Sequence, residues 1–595
     1  MCGILIALAK TGQLEPPACR RALAAMYWRG PDRTCSHVWE DRLFLGQTTL
    51  SITGNLPAGV DGHRRLPSER YEVLYNGEIY NFQDLEERFL RSHPRRVPCD
   101  GTDTEVLANL HEVLAPHAIP PLLDGMYAYV VFDAHARQLH LARDVQGEKS
   151  LYIYEDAQWV VIASEIRAIQ VLVPDITVDP QALRDYFRTR HLMLFDRTIY
   201  HGIRQLQPGR LETLDLDSFQ WSEAHTMRLR DWIDPQRLFD NSQRSIDSLA
   251  DELDGLLSRC VQEMIPRGRR YAAVLSGGID SSLLTRYLVA YGNPDVLVAV
   301  NHLGKDRIST DLSGFERVLG RTIDIVQVDP VMYAAELGRC QRVCGAPLHS
   351  HAFVGQALQS ARVRAAGCRV LFGGDGADEL FGGYEAYAQR HDARSRFSPS
   401  PYTAHQEPLI EFEADWPERM QQGLAQAWSD ALEAYACIAS PSERTMLAMM
   451  YCDAVYQLPD VGLRGADLMS MMWSVETRSV YLRRPIVQFA LNLPAMMKTD
   501  LAAPPPYALR AKALLKRLFL RSYPRALVVQ KQGFAGFPNE SAASLGDPAD
   551  YLALPFLGIS LDSVRSGWTD RATAWKLINT EYFLRSRRQG ERVLS

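Results

Sequence analysis

The chain has 595 residues, of which 46% are hydrophobic and 23% are charged, and its formal net charge is −6 at pH 7. A single hydrophobic core stops growing near ~250–300 residues, so this length predicts more than one domain. The mildly negative charge indicates neither a nucleic-acid-binding nor a membrane-binding surface. No apolar run approaches the ~20 residues of a membrane-spanning helix. The composition is typical of a soluble globular enzyme.

The cysteines and the N-terminal residues indicate the cellular compartment in which the protein is expected. Ten cysteines are scattered along the chain, which favours a reducing cytoplasm over a disulfide framework. The first ten residues lack the basic region of a signal peptide. Cys340 and Cys344 stand one helical turn apart, but no second pair follows them, so we interpret them as core thiols rather than metal ligands. A cytoplasmic location is expected.

Cysteine at the second position can supply both a nucleophile and its base. Removal of Met1 would give Cys2 a free α-amine, which titrates near ~8 and can accept the proton of the thiol. If Met1 is retained, the nitrogen of Cys2 is an amide and cannot act as a base. A cysteine at this position can also be incidental, so its role depends on the motifs that follow it.

Two later motifs suit attack on an amide. A thiolate that attacks an amide carbonyl develops an oxyanion, and the Asn76 side chain and the Gly77 backbone N–H are suitable donors, worth ~3–4 kcal/mol each. Glu78 and Asp103 are carboxylates that can pair with a cationic group of the substrate. Taken alone, Asn76-Gly77 is also a strong signal for a hairpin turn.

A second chemical centre is predicted around residues 271–284. A buried strand over Tyr271–Leu275 is followed by a glycine turn and a helix from Ser281 onward. The backbone N–H groups and the dipole of such a helix start favour bound anions such as phosphate. An ordinary capped corner is the alternative, and no Gly-Lys-Ser/Thr follows as in the lysine-bearing phosphate loop. The residues predicted to bind ATP here are Leu275, Ser276, Gly277, Gly278, Asp280 and Ser281, together with Val300 on the next strand.

Acidic residues follow a later strand near residue 372. Alternating strands and helices after residue 246 predict a parallel sheet whose ligands bind at the carboxyl ends of its strands. Gly373 and Gly374 are predicted to border the nucleotide there. Carboxylates beside a phosphate loop repel ATP unless magnesium bridges them, so Asp280 and Asp378 are the predicted Mg²⁺ ligands. Asp375 lies in the same acidic run.

These motifs resemble those of one family along the whole chain. Ser276–Ser282 resembles the PP-loop of ATP pyrophosphatases, and Cys2 together with 75–81 and 101–105 resembles class II glutamine amidotransferases. The chain is therefore similar to the glutamine-dependent asparagine synthetases. The resemblance implies an α/β and α+β protein with an N-terminal antiparallel β-sandwich over 2–210, a linker over 211–245 and a doubly wound parallel sheet over 246–595.

The resemblance also implies a reaction. Cys2 would hydrolyse glutamine through a thioester, and ammonia would cross an interdomain tunnel to displace AMP from an acyl-adenylate. Ile52 would contact glutamine, and Glu78 and Asp103 would pair with its α-ammonium group. Asp375 would steer or deprotonate the incoming ammonia. Lys531, within Lys-Gln-Gly-Phe, would neutralise the pyrophosphate. The implied small-molecule substrates are glutamine, ATP and a carboxylic acid, aspartate by default, with Mg²⁺ as cofactor. Neither nucleic acid nor a membrane is an expected partner, and a homodimer is kept as a hypothesis.

The sequence departs from the family pattern at several positions. Thr49 stands where the family has an arginine that clamps the α-carboxylate of glutamine, and we hypothesise that Arg64 or Arg65 replaces that charge, with solvated arginines as the alternative. The segment 346–353 and Arg483 also differ, which favours a specialised amide or lactam synthetase as the runner-up, with weak or no glutaminase activity. A catalytically silent interaction protein is a third hypothesis. The presence of Asp280, Asp378 and Lys531 argues against it.

Overall fold

The computed structural model describes most of the chain. The described residues are 2–52, 64–65, 70–94, 101–189, 192–193, 195–302, 311–389, 418–503, 506–528, 545–562, 564 and 571–593. The predictions for Met1 and Lys531 lie outside the described residues, as do the side chains of Arg64 and Arg65. Within the described part, the helices are all too short or too polar to cross a membrane.

The N-terminal half contains two six-stranded antiparallel sheets. Their strand orders are β10-β8-β9-β1-β3-β2 and β12-β11-β7-β6-β5-β4. The strands are β1 Cys2–Ala9, β2 Arg33–Trp39, β3 Leu43–Thr49, β4 Arg64–Arg65, β5 Tyr71–Ile79, β6 Gly125–Asp133, β7 Gln138–Arg143, β8 Tyr152–Glu155, β9 Trp159–Ala163, β10 Ile203–Gln205, β11 Arg210–Asp215 and β12 Trp221–Thr226.

The two sheets pack face to face, and successive residues of a strand point to opposite faces of its sheet. Ile4 and Ile6 of β1 share one core with Val130 and Phe132 of β6. Leu5 lies on the opposite face of β1, in a cluster with neighbouring helices. The predicted antiparallel sandwich flanked by helices is confirmed.

The second sheet continues beyond the predicted domain boundary at residue 210. β11 pairs with β7 and with β12, so the residues up to Thr226 are strands of the sandwich. The linker was predicted from residue 211 because this stretch has no long hydrophobic period. Pairing with β7 supplies backbone hydrogen bonds that local sequence does not reveal. The connection between the domains therefore begins after Thr226 in the structure.

The C-terminal half contains a five-stranded parallel sheet in the order β15-β14-β13-β16-β17. Its strands are β13 Tyr271–Val274, β14 Val296–His302, β15 Ile323–Val328, β16 Val370–Gly373 and β17 Glu476–Ser479. The central strand β13 is flanked by β14 and β16, so the loop that follows β13 lies at the middle of the sheet edge. The predicted doubly wound parallel sheet is confirmed.

Helices flank the sheets of both domains. Those of the first domain and the connection are α1 Pro16–Ala24, α2 Phe82–Leu85, α3 Asp103–Val113, α4 Ile166–Leu172, α5 Pro180–Thr189 and α6 Pro235–Ser242. Those of the second domain are α7 Ile246–Met264, α8 Ile279–Tyr291, α9 Ser313–Leu319, α10 Pro330–Cys344, α11 Ala352–Ala365, α12 Ala377–Phe381, α13 Ala386–Gln389, α14 Glu418–Ala434, α15 Pro441–Cys452, α16 Arg464–Met471, α17 Arg484–Leu491, α18 Ala495–Lys498, α19 Ala513–Phe519, α20 Ala553–Leu557 and α21 Arg571–Val593.

Candidate active sites in the two domains

The thiol of Cys2 lies in the interior of the sandwich, beside a side-chain amide. Cys2 begins β1 and is 7% exposed. Its backbone N–H donates to Asn76 Oδ1 at 2.9 Å, which fixes the orientation of the fully buried amide. Asn76 Nδ2 then has no hydrogen-bond partner among the described residues. An unsatisfied buried donor costs about 1–3 kcal/mol, so its retention beside a thiol indicates a donor kept for a substrate oxygen.

Gly77 is required by a close approach between two strands. A Cβ atom at Gly77 would lie 2.1 Å from the carbonyl oxygen of Met126 and 2.8 Å from the Cα atom of Tyr127. Gly77 lies inside β5, opposite Tyr127 of β6. The hairpin-turn alternative for Asn76-Gly77 is therefore wrong, because both residues belong to a continuous strand.

Thr49 lies directly opposite Cys2 in the pairing of β1 with β3. Burial raises the pKa of the Cys2 thiol, while hydrogen bonds from the Leu50 backbone and the Thr49 side chain lower it in part. Gln47 Nε2 lies 3.4 Å from Thr49 Oγ1, and Gln47 Oε1 accepts the Tyr75 N–H at 2.9 Å. At the family's arginine position, this chain therefore directs a hydroxyl at the thiol.

The two carboxylates predicted to bind the α-ammonium group have different surroundings. Asp103 Oδ2 accepts the Tyr75 hydroxyl at 2.8 Å and the Ile79 N–H at 3.1 Å, and burial raises the pKa of Asp103. Glu78 Oε2 lies 3.2 Å from Arg478 Nη2, a residue of the second domain. Asp103 is thus fixed within the sandwich, whereas Glu78 belongs to the interface between the domains.

Ile52 marks where the first site meets the second domain. It is 3% exposed and lies with Leu50 and Met126 in an apolar cluster that continues into the core of the second domain. The Cys2 neighbourhood is therefore continuous, through apolar side chains, with the domain that carries the parallel sheet.

The loop Tyr27–Asp32 contacts the second domain at three points. Arg29 Nη1 lies 2.9 Å from Asp467 Oδ2, the Trp28 carbonyl oxygen accepts the Ser474 hydroxyl at 2.7 Å, and Asp32 forms an ion pair with Arg369. Arg29 Nε also donates to the carbonyl oxygen of Cys2 at 3.0 Å. One loop therefore touches both the candidate nucleophile and the second domain.

The glycine turn after β13 is held in shape by its own serines. The Ser276 N–H donates to Ser281 Oγ at 3.1 Å, and the two hydroxyl oxygens lie 2.9 Å apart. Gly277 has a φ of +80°, a conformation that favours glycine. The helix α8 begins at Ile279, and this thirteen-residue helix directs its N-terminus at the turn. The predicted strand, turn and helix are confirmed.

The two predicted nucleotide loops lie against each other. A Cβ atom at Gly374 would lie 3.2 Å from the Cβ atom of Asp280, so the loop after β16 meets the start of α8. The Ser479 hydroxyl donates to Asp375 Oδ2 at 3.3 Å, which links Asp375 to the end of β17. The structure thus brings Asp280, Gly374 and Asp375 to one edge of the sheet.

The residues predicted to hold magnesium converge on a single cation. Lys512 Nζ lies 2.6 Å from Asp378 Oδ1 and also pairs with Asp280. Two carboxylates that share one ammonium group form a donor set that suits Mg²⁺, which binds one or two protein carboxylates plus phosphate oxygens. The described residues hold no group of three or more metal-binding side chains. The remaining ligands would therefore come from outside the described residues or from a nucleotide.

His349 and Arg483, which lie where the sequence departs from the family pattern, both contact other protein side chains. His349 Nε2 lies 2.8 Å from Asp460 Oδ1, and His349 Nδ1 lies 3.0 Å from Arg464 Nη1. Arg483 pairs with Asp124 of the first domain at 2.7 Å and with Glu263 at 2.6 Å. His349 belongs to a buried network, and Arg483 joins the domains, so neither side chain is directed at a substrate cleft by these contacts.

Sequence reasoning missed Lys512 and Asp467. Each is a single charged residue in or next to a helix, with no local pattern that separates it from a solvated side chain. Asp467 Oδ1 also lies 3.0 Å from Lys149 Nζ, and both side chains are buried. Only tertiary contacts indicate the importance of these residues, within the second domain for Lys512 and between the domains for Asp467.

The fold and the two centres define a two-domain protein of the glutamine amidotransferase class. The sequence profile of a glutamine amidotransferase domain matches residues 1–225, and that of asparagine synthase matches residues 252–580, which is more than half of the chain. The chain belongs to the asparagine synthase family.

Named relatives share modest identity. A putative glutamine-hydrolysing asparagine synthetase of Mycobacterium bovis is 28% identical over 417 residues, which cover 65% of this chain and 61% of that protein. The chain thus spans about three-fifths of that relative. Asparagine synthetase 3 of Bacillus subtilis is 24% identical over 84% of this chain and 82% of its own length. A putative synthetase of Methanocaldococcus jannaschii is 24% identical over 78% and 72%, respectively.

Proposed function

We propose that the chain is a glutamine- and ATP-dependent ligase that converts a carboxylate to an amide. The observation that carries this proposal is the Asn76 amide, whose carbonyl is held by Cys2 while its buried Nδ2 has no partner among the described residues. A donor in this position suits the oxyanion that forms when a thiolate attacks an amide. The family membership of both domains supports the same reaction.

In the first domain, the Cys2 sulfur attacks the side-chain carbonyl carbon of glutamine. The α-amine that Cys2 gains on removal of Met1 is the proposed base, which passes the thiol proton to the amide nitrogen. The carbon–nitrogen bond breaks, the nitrogen leaves as ammonia, and water cleaves the thioester to give glutamate. Asn76 Nδ2 and the Gly77 N–H are the proposed donors to the oxyanion, and Asp103 is proposed to pair with the α-ammonium group. Thr49 supports the thiolate through its hydrogen bond.

In the second domain, the carboxylate oxygen of the acceptor attacks the α-phosphorus of ATP, and pyrophosphate leaves. Ammonia then attacks the acyl-adenylate carbon and AMP leaves. Ser276 and the start of α8 are proposed to bind phosphate oxygens. Asp280 and Asp378 are proposed to hold Mg²⁺, which would neutralise phosphate charge. Lys531 remains the predicted cation at the pyrophosphate.

Aspartate is the proposed acceptor. Arg483 departs from the family pattern, which favoured an acceptor other than aspartate. Its contacts with Asp124 and Glu263 support a role in joining the domains instead. The segment 346–353 also departs from that pattern, and the buried contacts of His349 support a structural role for it. A specialised amide or lactam synthetase is the second candidate, and Thr49, in place of the family's arginine, is the observation that favours it.

The test is pyrophosphate release with Mg·ATP across a panel of carboxylic acids, first with glutamine and then with ammonium. Sustained release over many turnovers that requires both aspartate and a nitrogen donor, with glutamate formed from glutamine, is the expected result. Release with a different acid would replace aspartate as the acceptor. Release with ammonium but not with glutamine would contradict the proposed hydrolysis of glutamine. Pyrophosphate release with no acid in the panel would contradict the proposed ligase reaction.

A further inference from the structure

The nucleophile of the first domain is linked to the second domain through two side chains. Cys2 is held at both ends of its backbone, because its N–H donates to Asn76 and its carbonyl oxygen accepts from Arg29 Nε at 3.0 Å. The guanidinium of Arg29 reaches Asp467 on α16 at 2.9 Å. Arg29 therefore connects Asp467 directly to the backbone of Cys2.

The charges around Arg29 are buried and nearly balanced. Arg29 and Glu165 are each 1% exposed and lie 3.1 Å apart. Asp467 is 4% exposed and also contacts Lys149, which is 3% exposed, and Glu165 contacts Arg167 as well. Asp467 is the member of this cluster that the second domain supplies. Loss of its charge would leave Lys149 and Arg29 short of a buried counter-charge, so they would rearrange.

The direction of the pKa shifts agrees with this geometry. The neighbouring cations Arg29 and Lys149 lower the pKa of Asp467 to about 2, so its carboxylate is charged at neutral pH. The carboxylates of Asp467 and Glu165 raise the pKa of Arg29 despite its burial. The pair is therefore a full ion pair in the folded protein.

We propose that Asp467 of the synthetase domain is a positioning residue for the glutaminase reaction and acts on Cys2 through Arg29. This inference rests on the proposed hydrolysis of glutamine by Cys2 and adds a dependence on the second domain. Arg29 fixes the Cys2 backbone so that the sulfur meets the amide carbon while Asn76 meets the oxyanion. A displacement of about 1 Å between reacting groups can lower a rate by about 100-fold.

The experiment compares Asp467→Asn, Asp467→Glu and the unmodified full-length chain. Asp467→Asn is expected to lower kcat for glutamate release by roughly 10- to 100-fold, with KM for glutamine within about twofold, because attack geometry rather than substrate binding is disturbed. Asp467→Glu keeps the carboxylate and is expected to recover most of kcat. Alkylation of Cys2 by iodoacetamide is expected to keep its rate and pH profile, since it requires a thiolate but no oxyanion donor.

Ser474→Ala is the matched control at the same interface. It removes the hydrogen bond to the Trp28 carbonyl oxygen but no contact of Arg29, and kcat is expected to stay within about twofold of the unmodified chain. An equal loss of kcat in Ser474→Ala and Asp467→Asn would overturn the proposal, since loosening of the interface would then suffice. So would an unchanged kcat in Asp467→Asn.

Arg29→Lys tests the same link from the first domain if Asp467→Asn does not fold. Lysine keeps the positive charge but lacks the planar fork that reaches both the carbonyl and the carboxylates. The same loss of kcat at unchanged KM is expected, with ammonium-dependent pyrophosphate release preserved. If the unmodified chain hydrolyses no glutamine, the proposed function itself fails. If it does so and Arg29→Lys matches its kcat, only the positioning role fails.

Discussion

The ammonium group of Lys512 lies 2.6 Å from Asp378 Oδ1 and also pairs with Asp280, so it occupies the point at which the two predicted magnesium ligands meet. The Lys512 side chain is 6% exposed and each carboxylate is 13% exposed. Without a cation between them, the two carboxylates would repel each other in a poorly solvated site. The Lys512 ammonium group therefore stabilises this site by offsetting the repulsion between Asp280 and Asp378.

Replacing Lys512 is expected to make the stability of the protein depend on magnesium. Lys512→Met should lower the melting temperature in EDTA, since removing one partner of a buried ion pair costs about 3–5 kcal/mol. Addition of MgCl₂ without ATP should restore more of the melting temperature in this variant than in the parent, because an ion that binds only the folded state stabilises it. Thermal unfolding with and without Mg²⁺ measures both effects.

Lys516→Met is the control for that experiment. Lys516 lies on α19, which begins at the residue after Lys512, and its side chain donates to the Leu509 carbonyl oxygen rather than to either carboxylate. Its replacement should not change the response to Mg²⁺. An identical magnesium response in Lys512→Met and the parent would argue against a cation site between Asp280 and Asp378.

The Asn76 amide is expected to control turnover rather than binding. Asn76→Ala should lower kcat for glutamine hydrolysis by roughly 100- to 1000-fold, the usual effect of losing one oxyanion donor. Asn76→Asp keeps the acceptor for the Cys2 N–H but removes the donor, so it should be equally impaired. Glutamate release measures the loss, and ammonium-dependent pyrophosphate release should persist in both variants. A normal kcat in Asn76→Asp would show that the donor is not used.

The Thr49 hydroxyl is expected to help ionise the Cys2 thiol. It lowers the pKa of Cys2, which burial raises, so Thr49→Val should raise that pKa further and Thr49→Ser should not. One hydrogen bond is worth about 1 kcal/mol, so kcat at pH 7 should fall roughly fivefold in Thr49→Val. The pH dependence of Cys2 alkylation should move to higher pH in Thr49→Val alone. A shift in both variants would indicate a packing effect instead.

Lys498 is expected to destabilise the protein below pH 10. Its side chain is 1% exposed, and burial lowers its pKa from 10.5 to about 7. Between pH 7 and 10.5 the unfolded chain binds a proton that the folded chain does not, so stability contributed by this residue rises with pH across that window. Lys498→Met should therefore raise the melting temperature most at pH 7 and progressively less towards pH 10. A gain that does not change with pH would contradict the low pKa.

The Arg483 ion pair is expected to hold the domains together. Arg483→Met removes one partner of a buried pair with Asp124 and should destabilise the chain by about 3–5 kcal/mol. The double variant Asp124→Asn with Arg483→Met should lose less than the sum of the single variants, because each single change leaves an unpaired group. Chemical denaturation of the four proteins measures this coupling. The KM for the acceptor acid should not change, whereas a large increase would restore Arg483 as a substrate-binding residue.

Local patterns predicted the elements that carry the chemistry. The apolar run before Ser276 and the glycines after it predicted the strand, the turn and helix α8, because these depend on contacts between near neighbours. The alternation of strands and helices after residue 246 predicted the parallel sheet, because a helix between two strands lets them pair in parallel. Asn76 and Gly77 carried two interpretations, and only the pairing of β5 with β6 excluded the hairpin turn.

Residues whose roles depend on partners distant in the chain could not be assigned from sequence. Asp467, Lys512 and Arg483 are charged side chains whose partners lie far away in the chain, and burial alone turns such charges into strong interactions. The sequence by itself determined the class of each domain and made Cys2 the predicted nucleophile. Tertiary structure decided which charges meet, because folding brings together a cation and a carboxylate that lie far apart in the chain and removes both from water.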